Sequence, residues 1–162
     1  DEPPAGGSPA MKARMEWSYA SASFSYDEQT RLYRVHLNGE RARAEEHDRG
    51  QNASTVIIQY VDQQPSAYFD KGGGNTPHAD TIGRGRAVVL RDGRSWDVQW
   101  SRPDAESGTT FTMADGSSIP FKPGQQWIIL LDRDRTAKIT APAPPTAGPL
   151  PAPTGSSSPS RG

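Results

Sequence analysis

The sequence predicts a mainly β domain, a twisted antiparallel sheet built from hairpins, with a β-rich α+β domain as the alternative. Three observations predict this class. Short apolar segments alternate with polar residues, Asp-Gly and Pro-Gly pairs separate the segments, and no long segment has the period of an amphipathic helix. These features are densest over residues 83–131.

Both ends of the 162-residue chain have a composition that does not support a packed core. Residues 1–10 and 141–162 consist mainly of Pro, Gly, Ala and Ser, with almost no large apolar side chains. Such segments bury too little surface to offset the entropy lost on ordering. We therefore expect a disordered N-terminal segment, a disordered Pro/Ala/Ser-rich tail and one folding unit over residues 11–140.

The first elements of this unit read as a β-hairpin. Residues 23–26 and 32–37 alternate between apolar and polar side chains, and the four-residue loop Asp27–Thr30 interrupts the alternation. Asn38-Gly39 is a turn signal directly after the second segment. Residues 10–16, before the hairpin, are expected to form at most a turn or two of helix.

The central part of the unit contains one strong strand between two irregular segments. Residues 40–53 are charged and lack apolar anchors, which predicts an exposed loop or one short helix. Residues 55–61 are β-branched and apolar on both faces, which predicts a central strand covered from two sides. From Asp62 to Asp80 the alternation disappears, and a long loop is expected.

The remaining segments predict a meander of short strands joined by tight turns. Asp92-Gly93, Asp115-Gly116 and Pro123-Gly124 mark the turns. The expected strands are residues 86–90, 95–101, 109–113, 119–121 and 126–131.

Composition excludes several classes of function. The net charge is −1, and the folding unit is near neutral, so nothing favours nucleic acid as a partner. The absence of cysteine excludes thiol nucleophiles, zinc ribbons and disulfides among these residues. No apolar run is long enough for a transmembrane helix, and no signal peptide is recognisable. Because the chain opens at Asp1, we expect a processed product or a part of a longer protein.

Several segments, in order, resemble the C-terminal domain of the YerB-like predicted lipoproteins of Gram-positive bacteria, domain of unknown function 3048. The resemblance covers roughly residues 20–132. The matching pieces are Phe24–Asp27 leading to Tyr33, Val56–Val61, Ile82–Gly85, Val88–Gly93, Trp100, Asp115-Gly116 and Pro123–Ile128.

This resemblance implies an extracytoplasmic protein, secreted or anchored by a lipid, without an established enzymatic activity. Family members carry a separate N-terminal domain, which is then a partner of this one, and a lipid-attachment cysteine further upstream. No catalytic residue is carried over from the family.

The residues themselves show no constellation with clear chemistry. The three histidines, His36, His47 and His78, have no paired ligand spacing, so no metal or other cofactor is expected. The acidic clusters at residues 45–48 and 132–134 have arginine neighbours, which is opposite to the setting that raises the pKa of a general acid. The glycines at 72–74 and 83–85 lack the context of a phosphate-binding loop.

Two groups of residues remain as candidates for ligand binding. Tyr68 and Phe69 are adjacent aromatics in the expected long loop, where they need a packing partner or a ligand. Arg84, Arg86 and Arg102 belong to a cluster around one hairpin, which fits an anionic partner or a solvated sheet edge. The tryptophans at 96 and 100 share a face with Val98 and are expected in the core.

The preferred interpretation is a non-enzymatic binding or scaffolding module of the bacterial cell envelope. Its partner is expected to be a cell-wall polymer or an envelope protein. The alternative is a hydrolase-like enzyme that acts on envelope glycans or peptides with carboxylates from separate loops.

Overall fold

The computed structural model describes residues 2–44, 47–69 and 75–142, without the side chains of 47–49, 68–69 and 75–77. These residues form strands and no helix, which confirms the mainly β class. The strands are β1 Ser8–Pro9, β2 Lys12–Glu16, β3 Ser21–Asp27, β4 Leu32–Leu37, β5 Glu40–Arg41, β6 Arg43–Ala44, β7 His47–Gly50, β8 Asn52–Ala53, β9 Thr55–Phe69, β10 Asn75–Asp80, β11 Gly83–Arg91, β12 Arg94–Arg102, β13 Thr110–Thr112, β14 Gln126–Asp132 and β15 Lys138–Thr140.

Strand β9 is the centre of the first sheet, whose order is β1-β12-β11-β9-β10. Its first half lies between β11, which is antiparallel, and β14, which is parallel. Its second half pairs with β10, and β13 pairs with β12. All pairs in this sheet are antiparallel, as expected, except β9 with β14, which are parallel.

The second sheet has the order β15-β2-β3-β4-β5, with β8 beside β4. The predicted hairpin is confirmed, with Phe24 opposite Val35 and Tyr26 opposite Tyr33. The next turn, between β4 and β5, is formed by Asn38 and Gly39, which both have positive φ. The short helix expected over residues 10–16 is wrong, because Lys12–Glu16 is strand β2 with Ala13 and Met15 on its buried face.

Two apolar cores cover β9 from both sides, as its sequence predicts. The first core lies between the sheets, where Val56 and Ile58 of β9 meet Phe24 and Tyr33 of the second sheet. The second core covers the other face of the first sheet. Its members are Ile57, Val61, Ala87, Val89, Trp96, Val98, Trp100, Phe111 and Ile119. The predicted burial of Trp96 and Trp100 is therefore confirmed.

The expected loops are replaced by short strands. The described residues of the segment 40–53 form β5, β6, β7 and β8, and no helix. Residues 62–69 extend β9 and residues 75–80 form β10, so these parts of the expected long loop are paired strands. These strands carry little apolar patterning, and main-chain pairing, which every residue offers, gives a sequence analysis nothing to detect.

Smaller differences occur elsewhere. Residues 119–121 form no strand, although an isolated bridge joins Thr112 and Ser118. Disorder was expected over residues 1–10. The last residues of this segment are nevertheless ordered, since β1 pairs with β12 and Ala10 is buried. For the tail predicted over residues 141–162, positions 143–162 lie outside the described residues.

Candidate functional site

A pocket of about 350 Å³ beside β9 brings several open positive charges together. Its lining residues are Tyr60, Arg84, Gly85, Arg86 and Arg133. We call it the arginine pocket. It combines two arginines of β11, one residue just after β14 and an aromatic residue of the central strand.

Strand β11 presents Arg84 and Arg86 on one face, because side chains two residues apart point the same way. The guanidinium carbon of Arg86 lies 4.0 Å from the centre of the Tyr60 ring. This geometry is a cation–π interaction, which holds the arginine while its charge still faces solvent. Both arginines are exposed, whereas Val88 and Leu90, further along the same face, are buried.

Arg133 reaches the pocket because the chain stays bonded to β9 for one residue beyond the end of β14. Its main-chain N–H donates to the carbonyl of Val61 at 3.0 Å. Its guanidinium forms an ion pair with Asp62 at 2.9 Å, with both side chains about half exposed. An exposed pair of this kind contributes little to stability and is weakened by salt, so Arg133 remains accessible to an anion.

The base of the pocket is set by contacts with the second core. Gly85 lies opposite Trp100 in the β11–β12 register. A Cβ atom at position 85 would lie 2.7 Å from the indole nitrogen of Trp100 and 3.2 Å from the carbonyl oxygen of Tyr60. Glycine is therefore required between the two exposed arginines for the indole to approach β9.

The other arginines of the β11–β12 hairpin have structural roles. Arg102, predicted as a binding residue, donates hydrogen bonds to Ser107 O, Ala105 O and Thr81 Oγ1. The structure thus separates Arg102 from Arg84 and Arg86. Arg94 bonds the carbonyls of Gly6 and Gly7, and Arg91 is fully buried with a bond to Pro120 O.

Tyr68 and Phe69 are at the end of β9. Their side chains lie outside the described part of the structure, so their predicted binding role remains a prediction. Sequence reasoning missed Tyr60 and Arg133. Tyr60 lies beside β11 through the β9–β11 pairing, and Arg133 joins it through the β9–β14 pairing, which no local pattern signals.

The carboxylate of Asp92 is buried and is held among cations. Its side chain is 5% exposed and accepts hydrogen bonds from Lys122 Nζ at 2.8 Å and Arg91 Nε at 3.1 Å. Burial opposes ionisation, but these bonds and charges outweigh it and lower the pKa of Asp92. This arrangement keeps the group ionised and gives no general acid.

The pKa of four further carboxyl groups is shifted in the same direction. Hydrogen bonds or cations lower the pKa of Glu16, Asp27, Asp104 and Asp115. Among the described residues, no group of three His, Asp or Glu side chains is arranged to hold a metal ion. The same residues include no helix long and apolar enough to cross a bilayer.

Comparisons with known proteins agree on one family and fold. The family model described as "Protein of unknown function (DUF3048) C-terminal domain" matches residues 12–128. A search of curated proteins gives no match. Among solved structures, the chain is similar to the crystal structure of YerB protein from Bacillus subtilis, with a TM-score of 0.64 and 19% identity. The similarity covers 80% of this chain and 43% of that one, so this chain spans less than half of its length.

Proposed function

The chain belongs to the family of DUF3048 C-terminal domains, and from that premise we propose that it is a non-enzymatic binding module of the bacterial cell envelope. Its ligand is an anionic group of a cell-wall polymer or an envelope protein, and its contact surface is the arginine pocket. The proposal places the protein outside the cytoplasm, secreted or anchored by a lipid. The family's name implies a further domain in its members, and that domain is a second partner in this proposal.

One observation carries the proposal. Three arginines and Tyr60 line one open pocket, with Arg86 stacked on the Tyr60 ring, while the chain as a whole has a net charge of −1. Asp62 opposes one of these charges through its pair with Arg133. A cluster of guanidinium groups that are fixed by stacking and by strand geometry suits carboxylate or phosphate groups.

No observation on the described residues favours the hydrolase-like alternative. A glycosidase needs a carboxyl group whose pKa is raised by apolar or like-charged surroundings. The carboxyl pKa shifts described above are all in the opposite direction.

The test is co-sedimentation of the 162-residue chain with purified Gram-positive cell walls over a series of salt concentrations. We expect the protein to pellet at low salt and to be released as screening increases. The double variant Arg84→Gln/Arg86→Gln should remain in the supernatant.

The matched control is Arg14→Gln/Arg34→Gln, which removes the same charge from the second sheet. Arg14 and Arg34 lie between buried neighbours of β2 and β4, so they point away from the first core, and each is paired with a carboxylate. This control should pellet like the wild type. Absence of pelleting by the wild type at low salt, or equal loss in both double variants, would refute the proposal.

A further inference from the structure

A second cavity lies on the other side of the β14–β15 turn. It has a volume of about 390 Å³, and its lining includes Trp17, Tyr19, Gln64, Pro65, Asp132 and Arg135. We call it the aromatic groove. Three segments form it: the β2–β3 turn, the part of β9 beyond the end of β14, and the residues that follow β14.

The aromatic side chains of the groove are not explained by packing alone. Trp17 is partly buried against the first core, but Tyr19 is completely exposed at the tip of the β2–β3 turn. This turn is closed by a hydrogen bond from Trp17 N to Ala20 O at 2.8 Å. Tyr19 gains nothing from burial, lines the same cavity as Trp17 and offers a flat apolar face to a ligand.

The polar side chains are fixed and balanced in charge. Arg135 donates to Glu16 O at 2.9 Å and to Ser18 Oγ at 3.4 Å, which ties the groove's two turns together. Asp132 accepts a hydrogen bond from Asp134 N at 2.9 Å through one carboxylate oxygen. The amides of Gln63 and Gln64 add donors and acceptors without charge.

The edge of β9 in this groove does not favour the addition of a peptide strand. Val61 O points to the β14 side, where it accepts from Arg133 N, so alternate residues Gln63 and Pro65 face the same edge. Pro65 has no N–H to donate there. Proline at a sheet edge opposes strand pairing.

We infer that the aromatic groove binds a neutral sugar chain. Sugar rings have an apolar face of C–H groups that stacks on aromatic rings, and hydroxyl groups around the rim that both donate and accept. The groove has aromatic side chains on which a sugar ring can stack, and amide groups that can bond its hydroxyls. The charges of Asp132 and Arg135 cancel, so the groove has no net charge to attract an ion. This site is distinct from the arginine pocket and does not depend on the proposed function.

The test is isothermal titration of the 162-residue chain with two neutral probes, the β-1,4-linked N-acetylglucosamine tetramer and cellotetraose. We expect at least one of them to bind, with an affinity that does not fall between low and moderate salt. Tyr19→Ala should weaken binding by about tenfold, the scale of one aromatic contact. Tyr19→Phe, which keeps the ring, should bind like the wild type.

Because Tyr19 is fully exposed, Tyr19→Ala should leave the unfolding midpoint unchanged, and this is measured in parallel. The Arg84→Gln/Arg86→Gln variant should retain sugar binding, which separates the two sites. The inference is overturned if neither tetrasaccharide binds at millimolar concentration, or if Tyr19→Ala binds as well as the wild type. Titration with a proline-rich peptide is the third arm, and binding of the peptide in place of the sugars also overturns it.

Discussion

The indole Nε1 of Trp100 donates a hydrogen bond of 2.8 Å to the main-chain carbonyl of Tyr60. Both residues are buried, Trp100 in the second core and Tyr60 in the first. The bond crosses the first sheet from β12 to β9, past Gly85 of β11. It therefore couples the packing of the second core to the base of the arginine pocket.

Trp100→Phe should lower the free energy of unfolding by about 2 kcal/mol, because it leaves a cavity and a buried carbonyl without its donor. Urea denaturation measures the loss. Trp127→Phe is the matched control, since the buried Nε1 of Trp127 has no hydrogen-bond partner among the described residues. Equal losses in the two variants would show that the Trp100 bond contributes nothing.

Gly85→Ala should destabilise the domain by about 1–3 kcal/mol, since the new methyl group lies within contact distance of a buried ring that cannot move freely. Gly108→Ala is the control, because nothing lies within 4 Å of a Cβ atom there. Thermal unfolding should separate the two variants. Equal unfolding midpoints would contradict the close approach of Trp100.

Asp92→Asn should reduce stability at neutral pH by about 1–3 kcal/mol, because Lys122 and Arg91 lose a charged acceptor. Asparagine tolerates the positive φ of 49° at this position, so the change isolates the charge. The folded-state pKa of Asp92 is lowered, so its contribution is complete above the ordinary carboxyl value of 3.8 and is lost as the pH falls through the folded-state pKa.

The stability difference between wild type and Asp92→Asn should therefore be constant from pH 7 to about pH 5 and shrink under more acidic conditions. Urea denaturation at each pH measures it. Asp115→Asn is the control, because the carboxylate of Asp115 accepts local hydrogen bonds from Ser117. A difference that grows on acidification would contradict the assignment.

Arg102→Met should loosen the segment 103–108 without weakening retention on cell walls, because Arg102 bonds that segment and lies apart from the arginine pocket. Amide hydrogen exchange should become faster at residues 104–109. Arg84→Met should have the reverse pattern, with unchanged exchange and weaker retention. If Arg102→Met loses retention while its exchange stays slow, Arg102 is a binding residue after all.

Deletion of residues 1–9 should lower the unfolding midpoint, although the composition of this segment predicts disorder. Gly7 lies directly on the Trp96 ring, and Arg94 bonds the carbonyls of Gly6 and Gly7. Deletion of residues 1–4 is the control, since it leaves these contacts in place. Equal midpoints for the full chain and the longer deletion would show that the segment does not stabilise the domain.

Local patterns were sufficient to predict the elements whose burial repeats every second residue. The β3–β4 hairpin follows from alternation around one loop, and the central position of β9 follows from apolar side chains on both of its faces. The strand of residues 75–80 has no such pattern, because its pairing with β9 uses main-chain groups that every residue has. Strand β2 was missed for another reason: only two of its residues, Ala13 and Met15, are buried apolar ones, which is too short an alternation to identify a strand.

The candidate site was predicted only in part, for a related reason. The charge pattern of the sequence does not distinguish Arg102 from Arg84 and Arg86. Only the structure shows that Arg102 forms a hydrogen bond within the domain, to the carbonyl of Ser107. Arg133 is distant in sequence and joins the pocket through the β9–β14 pairing. The clustering of charge was visible in the sequence, but the partner of each charge was not.

The parallel pairing of β14 with β9 also affects how the chain folds. Gln126 lies beside Thr55, so this contact closes a loop that includes β10, β11, β12 and β13. Contacts of such high sequence separation slow folding, and the apolar edge of β9 must stay uncovered until β14 arrives. During synthesis, a nascent chain that lacks residues 126–132 exposes this edge, which makes it a site for chaperone capture or aggregation.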